Sequence, residues 1–296
     1  MWFVIQTLTS AGVGLVHQIN GVPQLGMTKG DVLLRNNVTV IGSGEHTLLM
    51  AHGFGCDQTM WRFLTPELSK HFRIVLFDYV GNGKSDISAF NAKKYSALEG
   101  YAEDVTDICD ALDLKKATLI GHSVSSMIGL IASLQSPEYF KNLVMVCPSP
   151  CFLNLPPDYF GGFDRADLEE LIDLMDKNYI GWANYLAPLV MGADKGSELV
   201  GELSDSFCST DPVIAKTFAK ATFFSDLRHL LPEAMHPVLI LQSSVDALAG
   251  TSIGEFVKKE IPKATLKVIE AEGHCLHMTH PKEVGQNVTE FLRVST

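Results

Sequence analysis

Leu119-Ile120-Gly121-His122-Ser123-Val124-Ser125-Ser126-Met127 decides how this chain is read. The apolar run Ala117 to Ile120 predicts a buried parallel strand, and Val124 to Gln135 predicts a helix. Between them stands one serine flanked by small residues. A sharp strand-to-helix turn of this kind lifts a serine hydroxyl clear of the backbone, where it can act as a nucleophile. The usual form is Gly-x-Ser-x-Gly; here the fifth position is Ser125, still small enough for close strand–helix packing.

A serine hydroxyl needs a base, and the base needs an orienting acid. The run Pro237 to Gln242 predicts a strand followed by Asp246, and Ala264 to Ile269 predicts a strand followed by His274. Both residues come just after carboxyl ends of strands, where open α/β sheets place their ligands. The chain order Ser123, Asp246, His274 makes a nucleophile, an acid and a base. Asp246 as a mere helix cap, or His274 as one of ten histidines, is an ordinary alternative for each taken alone. The third ingredient is a pair of amides for a developing oxyanion. One is Val124 N–H, directly after the nucleophile. The other is Phe54 N–H, in the glycine turn His52-Gly53-Phe54-Gly55 that follows the apolar strand Thr47 to Ala51.

Further stretches carry a family resemblance: Gly53 to Gln58, Phe77 to Asp86, Pro148 to Cys151, Asn178 to Trp182, Phe207 to Pro212 and Gly273-His274-Cys275. With the serine elbow, they make the chain similar to α/β-hydrolases of the RsbQ type. That group includes a bacterial stress-pathway regulator and the plant strigolactone and karrikin receptors. The resemblance runs from about Leu33 to the C-terminus. It implies an α/β-hydrolase fold: a mostly parallel eight-stranded sheet flanked by helices, with a helical cap inserted after the sixth strand. It also implies the triad Ser123, Asp246 and His274, with Phe54 and Val124 supplying the oxyanion amides. Ser125 is as in the plant receptors. Gly250 stands where relatives usually have Pro or Val, which predicts a looser loop around Asp246.

Strands alternating with helices support a right-handed parallel sheet. Val38 to Ile41 and Thr47 to Ala51 are expected to open it as an antiparallel pair. Asp78, at the end of the strand Arg73 to Phe77, is expected to bond loop amides. Between residues 150 and 224 strand-like runs give way to helical ones, at 165–177, 182–189, 197–207 and 211–224. This divides the chain into a core at 27–149 and 225–296 and a cap at 150–224. Phe54, Trp182 and Phe218 are the expected pocket lining, the last two supported by the resemblance. The absence of an obvious charged residue there predicts a small neutral ester or lactone as substrate.

Composition narrows the partners. The 296 residues carry 23 basic and 34 acidic side chains, a net charge of −11, which disfavours nucleic acid. Six cysteines without a Cys-x-x-Cys pair predict free thiols in the cytoplasm, and none has partners for thiol catalysis. His274, His277 and His280 are spaced like a metal site, but Pro281 interrupts the helix such a site needs. No metal and no cofactor is expected, and His277 and His280 are expected at the surface or capping loops. Residues 1–26 hold no Lys, Arg, Asp or Glu and read as a leader or upstream extension, too polar to cross a membrane. The expected activity is that of a cytoplasmic carboxylesterase acting through an acyl-enzyme, compatible with a homodimer. The alternative is a slow signalling hydrolase that works through a protein partner. Lactonase, C–C hydrolase and perhydrolase chemistry use the same triad.

Overall fold

In the computed structural model, residues 27–194 and 196–294 are described throughout, and residues 16–19 and 22–25 in their backbone. The short strands β1 (Val16–Ile19) and β2 (Val22–Leu25) pair with each other in a separate two-stranded sheet. The rest of the expected leader at 1–26 lies outside the described residues. Next come α1 (Lys29–Arg35), β3 (Thr39–Ile41), β4 (Thr47–Ala51), α2 (Thr65–Leu68), β5 (Arg73–Leu76), α3 (Leu98–Ala111), β6 (Ala117–His122), α4 (Val124–Gln135) and β7 (Phe140–Val146). An insertion follows: the small hairpin β8 (Asn154–Leu155) and β9 (Tyr159–Phe160), then the helices α5 (Arg165–Lys177), α6 (Tyr179–Met191), α7 (Glu198–Ser209) and α8 (Pro212–Phe223). The chain closes with β10 (Val238–Val245), α9 (Thr251–Glu260), β11 (Ala264–Glu272), α10 (Leu276–Thr279) and α11 (Pro281–Val294).

The main sheet has the order β11-β10-β7-β6-β4-β5-β3, parallel except for β3. β6 sits at its centre and is buried along its whole length, as a strand covered by helices on both faces must be. Apolar side chains of β4 and β5 alternate between two cores, one on each face.

Three expectations need correction. Among the described residues, the main sheet has seven strands rather than eight. The segment ahead of β3 forms α1, which a reciprocal capping box of Thr28 and Asp31 starts. The insertion therefore follows the fifth strand of the main sheet rather than the sixth, and it includes a hairpin as well as helices. Finally, β3 pairs antiparallel with β5, and β4 lies on the far side of β5. The link between β3 and β4 crosses the backbone leading into β5. A Cβ on Gly42 would lie 2.3 Å from the Phe72 carbonyl oxygen, and one on Gly44 would lie 2.1 Å from that of His71. Only glycines let the chain step over its neighbour so closely.

Candidate active site

The turn between β6 and α4 has the strain its sequence implies. Ser123 has φ 55° and ψ −122°, a conformation few non-glycine residues adopt. Its amide is pinned to the Val146 carbonyl at 2.8 Å. Gly121 must lack a side chain, since a Cβ there would lie 2.3 Å from the Ser125 carbonyl oxygen.

Ser123, His274 and Asp246 meet although they are far apart in sequence. His274 Nε2 lies 2.7 Å from Ser123 Oγ, and His274 Nδ1 lies 2.7 Å from Asp246 Oδ2. With Nδ1–H donating to the carboxylate, Nε2 is the acceptor for the serine proton. The loop carrying Asp246 is tightly held despite Gly250. Asp246 Oδ1 accepts from the Leu248 and Ala249 amides at 2.9 and 3.1 Å, and Gln242 Nε2 donates to the Ala249 carbonyl. Burial alone pushes the Asp246 carboxyl up. The adjacent His274 ring and these amides outweigh it, and the net position is below the ordinary carboxylate range. The His274 backbone is fixed from three sides. Its amide donates to Val190 O on α6 at 2.7 Å, its carbonyl accepts from His122 Nε2 at 2.9 Å, and the preceding Gly273 carbonyl accepts from Ser243 Oγ.

Val124 opens α4 directly after the serine, and Phe54, in the turn after β4, lines the same cavity as Ser123. Neither amide donates to a protein acceptor among the described residues. A buried polar chain ties the two segments together. Tyr79 Oη lies 2.9 Å from Ser125 Oγ, which donates to the His52 carbonyl, while the Tyr79 amide donates to His52 Nε2 at 3.2 Å. Ser125 at the fifth position of the elbow thus braces the glycine turn. Gly53 packs so closely on the His122 ring that a Cβ would fall 2.4 Å from Nδ1. Asp78 staples the same edge, accepting from the Gln58 and Lys84 amides and from Asn37 Nδ2 at 2.7–2.9 Å.

Above Ser123, which is 7% exposed, lies a cavity of ≈30 Å³. Its wall combines Ser123, His122 and His274 with Phe54, Phe207 and Phe223 and with aliphatic residues of α6 and α7. Of the expected lining residues, Phe54 is on the wall, whereas Trp182 and Phe218 stand behind it. Their rings lie 6.0 and 5.6 Å from that of Phe54, and each is turned away by stacking, Trp182 on Tyr179 and Phe218 on Tyr101. Phe207, Phe223, Phe152 and Thr222 take the wall positions instead. Aromatic content pointed to the insertion, but which ring faces inward depends on helix rotation. Cys56 and Cys275 do reach the cavity, with thiols pushed up by burial. A larger open groove of ≈800 Å³ between α2 and α11 lies away from this machinery and contains no part of it.

His277 departs from its expected surface position. It is fully buried on α10, with its ring 4.5 Å from Trp61 and 4.4 Å from His122, and neither ring nitrogen has a protein partner. Tertiary packing placed it there: α10 turns its inner face onto the segment holding Trp61. His280 is half-buried and contacts Thr279 Oγ1. Among the described residues, the one group of three metal-type side chains within 4.8 Å is Cys147, Asp246 and His274. There the acid and the imidazole already bond each other, and burial keeps the Cys147 thiol protonated.

A strained serine elbow at the centre of a seven-stranded sheet, with its acid and imidazole just after the last two strands, β10 and β11, defines a class. The chain belongs to the alpha/beta hydrolase fold family, whose pattern it matches over residues 46–281. It is 40% identical over 250 residues to a karrikin insensitive 2 receptor of Petunia hybrida, covering 84% of this chain and 92% of that one. It is 34% identical to a strigolactone esterase of Arabidopsis thaliana, over 90% of this chain and 98% of the relative. Among solved structures, a hydrolase from Oleispira antarctica is 58% identical, with a TM-score of 0.89 over 90% of this chain and 98% of that one. The chain is thus a hydrolase of the α/β type with esterase-like relatives. Among the described residues, no helix is long and apolar enough to cross a membrane.

Proposed function

We propose that this protein is a serine hydrolase that cleaves small neutral carboxylic esters through an acyl-enzyme. The observation that carries the reading is the continuous chain Ser123 Oγ, His274 and Asp246, both links 2.7 Å, opening into a cavity of ≈30 Å³. His274 Nε2 takes the proton of Ser123 Oγ as the oxygen attacks the ester carbonyl. Asp246 stabilises the imidazolium so formed. The carbonyl oxygen becomes an oxyanion held by the Phe54 and Val124 amides; such a donor contributes on the order of 100- to 1000-fold in rate. As the tetrahedral species collapses, the C–O bond to the alcohol breaks and His274 returns the proton to the leaving oxygen. Water then attacks the acyl-enzyme by the same route and releases the acid. No step calls on a cofactor. In this reading residues 150–224 act as a cap over a core made of 27–149 and 225–296. The buried thiols fit a cytoplasmic protein.

The small cavity supports short acyl groups. A cavity needs roughly 10–15 Å³ to hold one water, so this one has room for about two small heavy groups before the phenylalanines move. The same closure, together with a receptor among the relatives, supports a second reading: a slow signalling hydrolase that acts through a protein partner.

The test is the steady-state rate on 4-nitrophenyl esters from acetate to decanoate, with Ser123→Ala as control. Turnover is expected to peak at short chains and to fall on the order of 10⁶-fold in the variant, with folding intact. Equal rates in the two proteins would refute the assignment. A burst of one equivalent followed by barely detectable turnover would favour the signalling reading.

A further inference from the structure

Thr222 carries an unexplained polar atom. It lies on α8, is 2% exposed, and borders the same cavity as Ser123 and His274, yet its Oγ1 has no hydrogen-bond partner in the protein. A helical threonine ordinarily satisfies its hydroxyl by donating to the carbonyl four residues back. Thr217, on the same helix, does this to Val213 O at 2.8 Å. Thr222 does not, although a buried hydroxyl left unpaired is costly.

The rest of the wall offers it nothing. Apart from the catalytic chain, the lining is phenylalanine, leucine and valine, with two thiols that burial keeps protonated. The other unpartnered polar atom on the wall, His122 Nδ1, is blocked by the backbone of Gly53. Outside the catalytic chain and His122, Thr222 Oγ1 is therefore the unpartnered side-chain polar atom on an otherwise apolar wall, among the described residues. A site with a buried hydroxyl discriminates against ligands that leave it unpaired.

Building on the esterase reading, we infer that the substrate carries a second oxygen, and that Thr222 reads it. The class is a neutral ester or lactone with an ether, hydroxyl or ring oxygen a bond or two from the scissile carbonyl, since a cavity of ≈30 Å³ leaves no room for more. The hydroxyl donates to an ether oxygen, or accepts from and donates to an alcohol. A purely hydrocarbon acyl group of the same size would leave Oγ1 without a partner.

The experiment is a double comparison. Hydrolysis of 4-nitrophenyl methoxyacetate and 4-nitrophenyl butanoate, which differ by one oxygen in place of a methylene, is measured with the wild type, Thr222→Val and Thr222→Ser. The intrinsic reactivities of the two esters cancel in the ratio of kcat/KM ratios. The preference for methoxyacetate is expected to fall roughly 3- to 10-fold in Thr222→Val and to be kept in Thr222→Ser. An equal preference in wild type and Thr222→Val overturns the proposal. The same cycle is run by calorimetric binding of ethyl methoxyacetate and ethyl butanoate to Ser123→Ala and Ser123→Ala/Thr222→Val. A selectivity lost there while the wild type turns over neither ester would uphold Thr222 as the reader and reject the hydrolase reading. Unchanged selectivity in that background counts against Thr222, whatever the turnover.

Discussion

The two sides of the cavity are held by different forces. The floor, at the carboxyl ends of β4, β6, β10 and β11, is fixed by directional bonds. His52, Ser125 and Tyr79 brace the glycine turn, two amides clamp Asp246, and His122 holds the His274 carbonyl. The roof, made by α6, α7 and α8, meets the floor mainly through rings. Phe54 touches Trp182, Phe207, Phe218 and Phe223, with centroids 5.6–6.1 Å apart. Hydrogen bonds have one good geometry, whereas apolar contacts have many of nearly equal energy. The floor is therefore suited to hold a reaction geometry, and the roof to change what is admitted without disturbing it. The His274 amide bond to Val190 O is a polar tie between the two, so movement of α6 is felt by the base.

The comparison is broken most severely from below. Gly53→Ala forces a Cβ against His122 Nδ1, so the turn carrying Phe54 must shift. A fall in kcat of about 100-fold is expected, in line with loss of one oxyanion donor, with KM little changed. Stopped-flow and steady-state kinetics on a short-chain ester check this; a wild-type kcat would show the floor to be as forgiving as the roof. From above, Phe207→Ala should enlarge the cavity and move the preferred acyl chain longer, raising the decanoate-to-acetate ratio of kcat/KM about 10-fold. Its cost should appear in stability instead, about 3–5 kcal/mol by denaturant titration. A loss of kcat on every chain length would mean that the roof also sets the reaction geometry.

The smallest effect concerns the histidines beneath the floor. Burial lowers His122 to about 3, with the neighbouring His274 adding to it, and burial likewise holds His277 well below the usual range. Both stay neutral in the fold, whereas in the unfolded chain they take a proton below about pH 6.5. Between that pH and the folded values the unfolded state binds more protons, so stability rises with pH and is lost as pH falls. Each such group is worth on the order of 1–2 kcal/mol at pH 5. Tm should drop between pH 7 and pH 5, and His277→Phe should flatten that slope. Parallel slopes would place a compensating partner on His277.

Much of the floor was legible in the chain. A strand, small residues around one serine, and strand-terminal Asp246 and His274 are local signals, and the parallel crossover rule brings their carboxyl ends to one edge. Glycines 53 and 121 were legible as close-approach points, because only a missing side chain permits such contacts. Less was legible where neighbours decide. β3 and β4, expected as an antiparallel pair, instead lie on opposite sides of β5. His277 became a core residue through the packing of α10 on Trp61, a contact with no local signature. The roof shows the limit most clearly. Its helices were visible from apolar spacing, but Trp182 and Phe218 are as aromatic as Phe207 and Phe223, and only helix rotation decided which rings line the cavity. The sequence by itself determined the kind of chemistry, because catalysis demands particular side chains at strand ends. The tertiary structure alone decided the volume of the cavity and left the Oγ1 of Thr222, a lining residue, without a partner, because packing sums weak contacts from segments far apart in the chain.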